Sequence, residues 1–173
     1  MDLYQELILE HSKRPHGAGL RDPFDAEVHH VNPTCGDEVT VRVHVSGDGT
    51  GAVLEDLSFD ALGCSISVAS TSMMAEEITG QPLSAATTKH AAIKSMLTSK
   101  GADPGDEDVI GDAVALAGVA KYPARVKCAL LGWMALEDAL AQAGHALRTA
   151  DTTTSQPTTT DHRDAPNSTE GTP

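Results

Sequence analysis

The sequence has few aromatic residues, few basic residues and no long apolar run. Phe, Trp and Tyr supply 3% of its 173 residues, so a core must be built from Val, Leu, Ile, Ala and Met, which favours helices packed on a modest sheet. Twelve basic against 25 acidic residues give a formal charge of −13, which argues against nucleic-acid binding. No apolar run approaches the roughly 20 residues of a membrane span, so no membrane partner is expected.

Cysteine is also scarce, and the amino terminus lacks the basic and then apolar layout of a signal peptide. We therefore expect a cytoplasmic protein. Three cysteines are an odd number, and without an export signal they argue against a disulfide framework. The alternatives that remain for each thiol are a metal ligand, a nucleophile or a buried small apolar group.

Local patterns predict one α+β domain over residues 1–145, with a small antiparallel sheet of about three strands packed against helices. Alternation from Val39 to Val45 and a second apolar run from Val53 to Ala61 predict a hairpin, and Glu27–Val31 is a candidate third strand. Helices are predicted from Leu3, over 65–79, over 84–97 with Ser84 as N-cap, and over 126–140. A short apolar segment spans 109–119.

Two polar segments carry no predicted site. Residues 146–173 form an acidic tail rich in Thr, Ser and Pro, which predicts disorder. The acidic run at Asp103, Asp106, Glu107 and Asp108 lacks the spacing of a calcium loop, so a solvated loop is the preferred interpretation.

The cysteines stand at the ends of predicted elements. Cys35 and Asp37 flank Gly36 in a tight turn between two strand candidates, where both side chains can point outward together. Cys64 falls between the hairpin and the next helix, where free amides and the helix dipole favour a thiolate. Cys128 lies near the start of the final helix, after two basic residues.

Together, Cys35, Asp37, Cys64 and Cys128 predict a tetrahedral zinc site. Three thiolates and a carboxylate outweigh the charge of the ion, so bound sulfur stays nucleophilic, and the carboxylate is the first ligand to yield its place. Inert burial stays open for each cysteine. His29 and His30 are spare ligands or, on the preferred interpretation, strand surface residues, and Met73-Met74 is predicted to be helix core.

Three motifs resemble those of the SufU proteins, a branch of the IscU-type iron-sulfur scaffolds. They are Asn-Pro-Thr-Cys-Gly-Asp at 32–37, Gly-Cys-Ser-Ile-Ser at 63–67 and Arg-Val-Lys-Cys-Ala-Leu-Leu-Gly-Trp at 125–133, and the resemblance runs from Leu3 to about Gly144. The wider family carries a histidine where this chain has Lys127, and a shorter stretch between Cys64 and Cys128. Both departures indicate the SufU branch.

This resemblance implies a SufU/IscU-like fold and tight zinc binding by the predicted ligands. It also implies that Cys35 accepts sulfur from a SufS-type cysteine desulfurase, a histidine of which replaces one zinc ligand, with the SufBCD scaffold complex as a further partner. Arg125 is assigned to orienting or stabilising the freed thiolate. The alternative is that Arg125 pairs with a surface acid.

Three hypotheses for function follow. The first is a zinc-dependent sulfurtransferase with its metal site at an exposed end of the domain. The second is a scaffold that assembles a [2Fe-2S] cluster on the same residues and passes it to client proteins, a hypothesis that Lys127 weakens. The third is a structural zinc domain that acts only as an adaptor, which would tolerate Asp37→Ala as long as zinc is retained.

Overall fold

A computed structural model describes residues 2–147 of the chain. The α-helices of this range are α1 (Leu3–Lys13), α2 (Ser65–Ile78), α3 (Leu83–Thr98), α4 (Glu107–Ile110) and α5 (Pro123–Gln142). The strands are β1 (Ala26–Asn32), β2 (Asp37–Ser46) and β3 (Val53–Leu62), and 3-10 helices cover Gly49–Gly51 and Gly111–Lys121. None of the helices between residues 2 and 147 has both the length and the apolar character needed to cross a bilayer.

The three strands form one antiparallel sheet in the order β1-β2-β3, which confirms the predicted α+β class. On β2 the side chains of Val39, Val41 and Val43 are fully buried, because alternate residues of a strand face the same side of a sheet. A bulge between His44 and Val45 shifts the register against β3. Of the predicted tail at 146–173, all but the first two residues lie outside the described range.

Helices cover one face of the sheet, and α2 packs between α1 and α5. The hydroxyl of Ser70 on α2 donates to the Ala129 carbonyl at 2.6 Å and accepts from Trp133 Nε1 at 3.2 Å. A Cβ at Gly132 would lie 2.4 Å from Thr71 Oγ1, so the two helices approach as closely as glycine allows. This contact holds the middle of α2 against α5.

Three local predictions, for Ser84, the acidic run and the Met73-Met74 pair, can be compared with the structure. Ser84 is not the N-cap of α3, because the helix begins at Leu83 after Pro82. The cause is tertiary: the Leu83 amide donates to the Ala52 carbonyl at 3.0 Å, which docks this entry segment on the start of β3. The acidic run holds a short helix, with Asp106 as the N-cap of α4. Met73 and Met74 are fully buried, as predicted.

Candidate metal centre

Three segments of the chain meet at one end of the sheet: the β1–β2 turn, the β3–α2 junction and the second turn of α5. They bring Cys35, Asp37, Cys64 and Cys128 together. The sulfur atoms of Cys35 and Cys128 lie 3.2 Å apart, and the Cys64 sulfur lies 3.3 Å from Asp37 Oδ2. Ligand atoms of Cys35, Asp37 and Cys128 all fall within 4.8 Å of one another.

The β1–β2 turn is shaped by Asn32 and Gly36. The Gly36 amide donates to the Asn32 carbonyl at 2.8 Å with a φ of +72° at Gly36, a conformation that glycine adopts without strain. Asn32 Oδ1 accepts from the Thr34 amide at 3.1 Å, while its Nδ2 points to the Cys128 sulfur at 3.9 Å. Sequence reasoning gave Asn32 no role, although Asn before a turn is a known signal for this local bonding.

Asp37 points inward, not outward as the turn had suggested, and only 2% of it is exposed. Its Oδ1 accepts from the Cys64 amide at 3.0 Å. Desolvation acts to raise the pKa of Asp37, but hydrogen bonds from that amide and from the three thiols outweigh it, and the pKa lies below its ordinary value. A Cβ at Gly63 would lie 2.3 Å from Oδ1, so only glycine leaves room for this carboxylate.

Cys128 is the buried thiol of the cluster. Burial raises its pKa, and the neighbouring Cys35, Asp37 and Cys64 raise it further through hydrogen bonds and charge. It donates to the Ala124 carbonyl at 3.6 Å along α5. Three thiols and a carboxylate therefore lie so close together that their ionised forms would repel one another without a cation between them.

The donor set fits zinc, which accepts thiolate and carboxylate ligands in a four-coordinate site. Cys35 and Cys64 are exposed, whereas Asp37 and Cys128 are buried. The cluster thus has an inner half anchored in the fold and an outer half open to solvent. An arrangement of this kind leaves two thiols within reach of another macromolecule.

Arg125 is exposed on α5, one turn before Cys128. It lines a surface pocket of about 380 Å³ with Tyr122 and with Ile66 near the start of α2. The two histidines weighed as spare ligands lie on the strand surface instead: His29 Nδ1 is 2.9 Å from Thr40 Oγ1, and His30 Nε2 is 3.1 Å from Asp138 Oδ2.

Residues 3–129 match the model of the NifU-like N-terminal domain. The zinc-dependent sulfurtransferase SufU of Bacillus subtilis is 40% identical over 141 residues, 81% of this chain and 90% of the relative. The iron-sulfur cluster assembly scaffold protein IscU of Streptococcus pyogenes is 38% identical over 149 residues, 86% and 89% of the two chains.

Solved structures agree with these matches. The N-terminal part of a NifU-like protein from Brucella abortus superposes with a TM-score of 0.72 at 27% identity, covering 82% of this chain and 94% of that one. The sequence motifs, the sheet order and the clustered thiols lead to the same conclusion: this chain belongs to the NifU-like N-terminal domain family, the family of the IscU and SufU proteins of iron-sulfur cluster assembly.

Proposed function

We propose that this protein is a cytoplasmic zinc-dependent sulfurtransferase that receives persulfide sulfur on Cys35 from a SufS-type cysteine desulfurase. The observation that carries the proposal is the position of Cys35. Cys35 is exposed, yet its sulfur lies 3.2 Å from the sulfur of the buried Cys128 and close to the carboxylate of Asp37. The name of the Bacillus subtilis relative supports the same activity.

Zinc held by Cys35, Asp37, Cys64 and Cys128 would keep the thiols deprotonated at neutral pH. The residues of the cluster have different roles. Cys128 and Asp37 anchor the cluster in the core, and the Cys64 amide orients the carboxylate at 3.0 Å. Arg125 lies one turn before Cys128 on the exposed start of α5, and its proposed role is to favour a thiolate over a thiol by its positive charge.

The proposed transfer is a thiol and persulfide exchange. The Cys35 thiolate attacks the outer sulfur of the persulfide on the desulfurase, and a new S–S bond forms at Cys35. The S–S bond on the desulfurase breaks, and its cysteine departs as a thiolate. Electrons balance without an added oxidant or reductant. The loaded sulfur would then pass to the SufBCD scaffold complex.

A second candidate is a scaffold that builds a [2Fe-2S] cluster on these same side chains. The observation that favours it is the convergence of three thiols at one exposed end of the domain, together with the name of the Streptococcus pyogenes relative. Lys127 stands directly before Cys128 and is exposed, so no histidine at that position completes a cluster site. The sulfurtransferase is therefore the preferred function.

The deciding experiment measures the mass of the Cys35 peptide after the zinc-loaded chain is incubated with a cysteine desulfurase and free cysteine. We expect one added sulfur atom, lost in Cys35→Ser and lost when zinc is removed. A chain that gains no sulfur, while iron and sulfide reconstitute a stable cluster on it, would establish the scaffold instead.

The role of Arg125 is tested by a matched pair of variants in the same assay. Under this proposal Arg125→Gln should slow sulfur uptake at Cys35, because the positive charge one turn before Cys128 is gone. Lys127→Gln removes an equal charge two residues away on the same exposed helix start and should slow uptake less. Equal rates for the two variants would show that Arg125 has no special role in sulfur uptake.

A further inference from the structure

A second cluster of metal-ligand side chains lies away from the thiols, between α1, α2 and the 3-10 helix Gly111–Lys121. His11 Nε2 is 3.1 Å from Asp112 Oδ2 and 3.5 Å from Glu76 Oε2. His16 Nε2 is 3.5 Å from the other oxygen of Glu76. Ligand atoms of His11, His16 and Glu76 fall within 4.8 Å of one another. Two imidazoles and one carboxylate thus face a common point, and the carboxylate of Asp112 lies beside His11.

A hydrogen bond from His11 cannot reach both carboxylates, which are partly exposed to solvent, at 38% for Glu76 and 41% for Asp112. The Nε2 atom of a histidine carries at most one hydrogen, and in His11 this atom faces carboxylates from both Glu76 and Asp112. If it donates to the nearer Asp112, the Glu76 oxygen at 3.5 Å receives no proton from it. A cation at this point would satisfy both carboxylates at once.

The two carboxylates have no other positive partner in the part of the chain that the structure describes. Their ion-pair contacts between residues 2 and 147 are with histidines alone, and neither Lys nor Arg lies within 4.0 Å of them. The whole chain also carries a formal charge of −13, which attracts cations to such a position.

Ser72 completes the support that a metal-binding histidine needs. Its hydroxyl is 2.8 Å from His11 Nδ1 and also accepts from the His16 amide at 2.8 Å. Metal-bound histidines characteristically donate their second ring N–H to such a partner, which directs the lone pair of the other nitrogen at the ion. His11 is 4% exposed, so its ring is held in place by packing as well.

We propose that His11, His16 and Glu76, with Asp112, form a second site for a first-row divalent cation, zinc in particular. Imidazole and carboxylate ligands suit this class of ion. Glu76 follows Cys64 by twelve residues of α2, about 18 Å of helix, so the site is separate from the thiol cluster. It is accessible, because His16 is 55% exposed and lines a surface pocket of about 290 Å³ with Glu76.

Occupation of this site would join three segments distant in sequence. It would tie α1 and His16, three residues beyond its end, to the last turn of α2 and to the 3-10 helix. The ligands here contain no sulfur, in contrast to those of the thiol cluster. The role that the geometry gives the site is to fasten the N-terminal helix to α2.

The test measures, by equilibrium dialysis, the number of zinc ions bound per full-length chain. We expect His16→Ala to hold one zinc fewer per chain than the unaltered protein. The matched control is His44→Ala, which removes a histidine with a single carboxylate partner, Asp25, at 3.1 Å; this variant should bind as much zinc as the unaltered chain. Equal zinc content in His16→Ala and the unaltered protein would overturn the proposal.

Cobalt separates the two sites by spectroscopy. Cobalt(II) on thiolates gives a strong sulfur-to-metal charge-transfer band, whereas cobalt(II) on imidazole and carboxylate gives only weak visible bands. We expect His16→Ala to lose the weak visible bands of cobalt at the second site and to retain the charge-transfer band. The retained band also reports an intact fold. If that band is lost as well, Glu76→Gln decides the question, because it keeps the shape of the side chain and removes its charge. Unchanged zinc content in Glu76→Gln would count against the site.

Discussion

The tightest steric constraint at the thiol cluster lies at Gly63, and the substitution Gly63→Ala tests it directly. The new Cβ would stand 2.3 Å from Asp37 Oδ1 and 2.6 Å from its Cγ. Ordinary contact begins at 3.4 Å, so the carboxylate must retreat by about 1 Å. Gly63 is not among the residues with positive φ, so the effect comes from the added carbon and not from backbone strain.

This displacement breaks the hydrogen bond from the Cys64 amide to Oδ1, now 3.0 Å long. A hydrogen bond to a charged group contributes about 1.5–3 kcal/mol, so the free energy of unfolding of the metal-free chain should fall by that amount. Loss of a partner that orients a metal ligand typically lowers affinity by about 10–100-fold. We therefore expect zinc affinity to fall within that range.

Urea unfolding of the metal-free chain gives the first quantity, and competition for zinc with a coloured chelator gives the second. The control is Gly51→Ala, since a Cβ at Gly51 meets no atom within 4 Å and its φ is not positive. If Gly63→Ala matches Gly51→Ala in both measurements, Asp37 is neither crowded nor a ligand, and the description of the site is wrong.

Two further predictions concern α5. Gly132→Ala should lower the free energy of unfolding by about 1–3 kcal/mol in a urea titration, because its Cβ would meet Thr71 Oγ1 at 2.4 Å; stability equal to that of Gly51→Ala would contradict the close packing of α2 on α5. The raised pKa of Cys128 means that, above a pH of about 8.5, the unfolded chain releases a proton that the folded metal-free chain keeps. Stability of the metal-free chain should therefore fall as pH rises above that value, by up to about 1.4 kcal/mol per pH unit from this group, and Cys128→Ser should show a shallower decline in urea titrations at successive pH values.

Local patterns were sufficient to predict the elements that carry the thiols. The alternation of Val39, Val41 and Val43 indicates a strand because side chains repeat every second residue there, and the structure has β2 at that place. The position of Cys64 between a strand and a helix is also confirmed, since it is the N-cap of α2. These features depend on a few neighbouring residues.

The features that were not predicted depend on residues distant in sequence. Asp37 turns inward, where its Oδ1 accepts a hydrogen bond from the Cys64 amide, 27 residues later. The helix α3 begins before Ser84 because Leu83 bonds to the start of β3. The contact between His11 and Asp112 spans 101 residues. No local pattern encodes such contacts, since they follow from how the elements pack.

The contact between the Cys35 and Cys128 sulfur atoms spans 93 residues, which bears on how a newly made chain would acquire the proposed zinc ion. Synthesis proceeds from the amino terminus, so Cys35, Asp37 and Cys64 leave the ribosome well before α5 exists. A chain halted before α5 has the hairpin motif but lacks the buried thiol that completes the ligand set. Under the proposed ligand set, full zinc affinity would arise only after α5 has docked on the sheet. If zinc binds as proposed, metal content reports finished folding, and nascent or truncated chains should compete poorly for the ion.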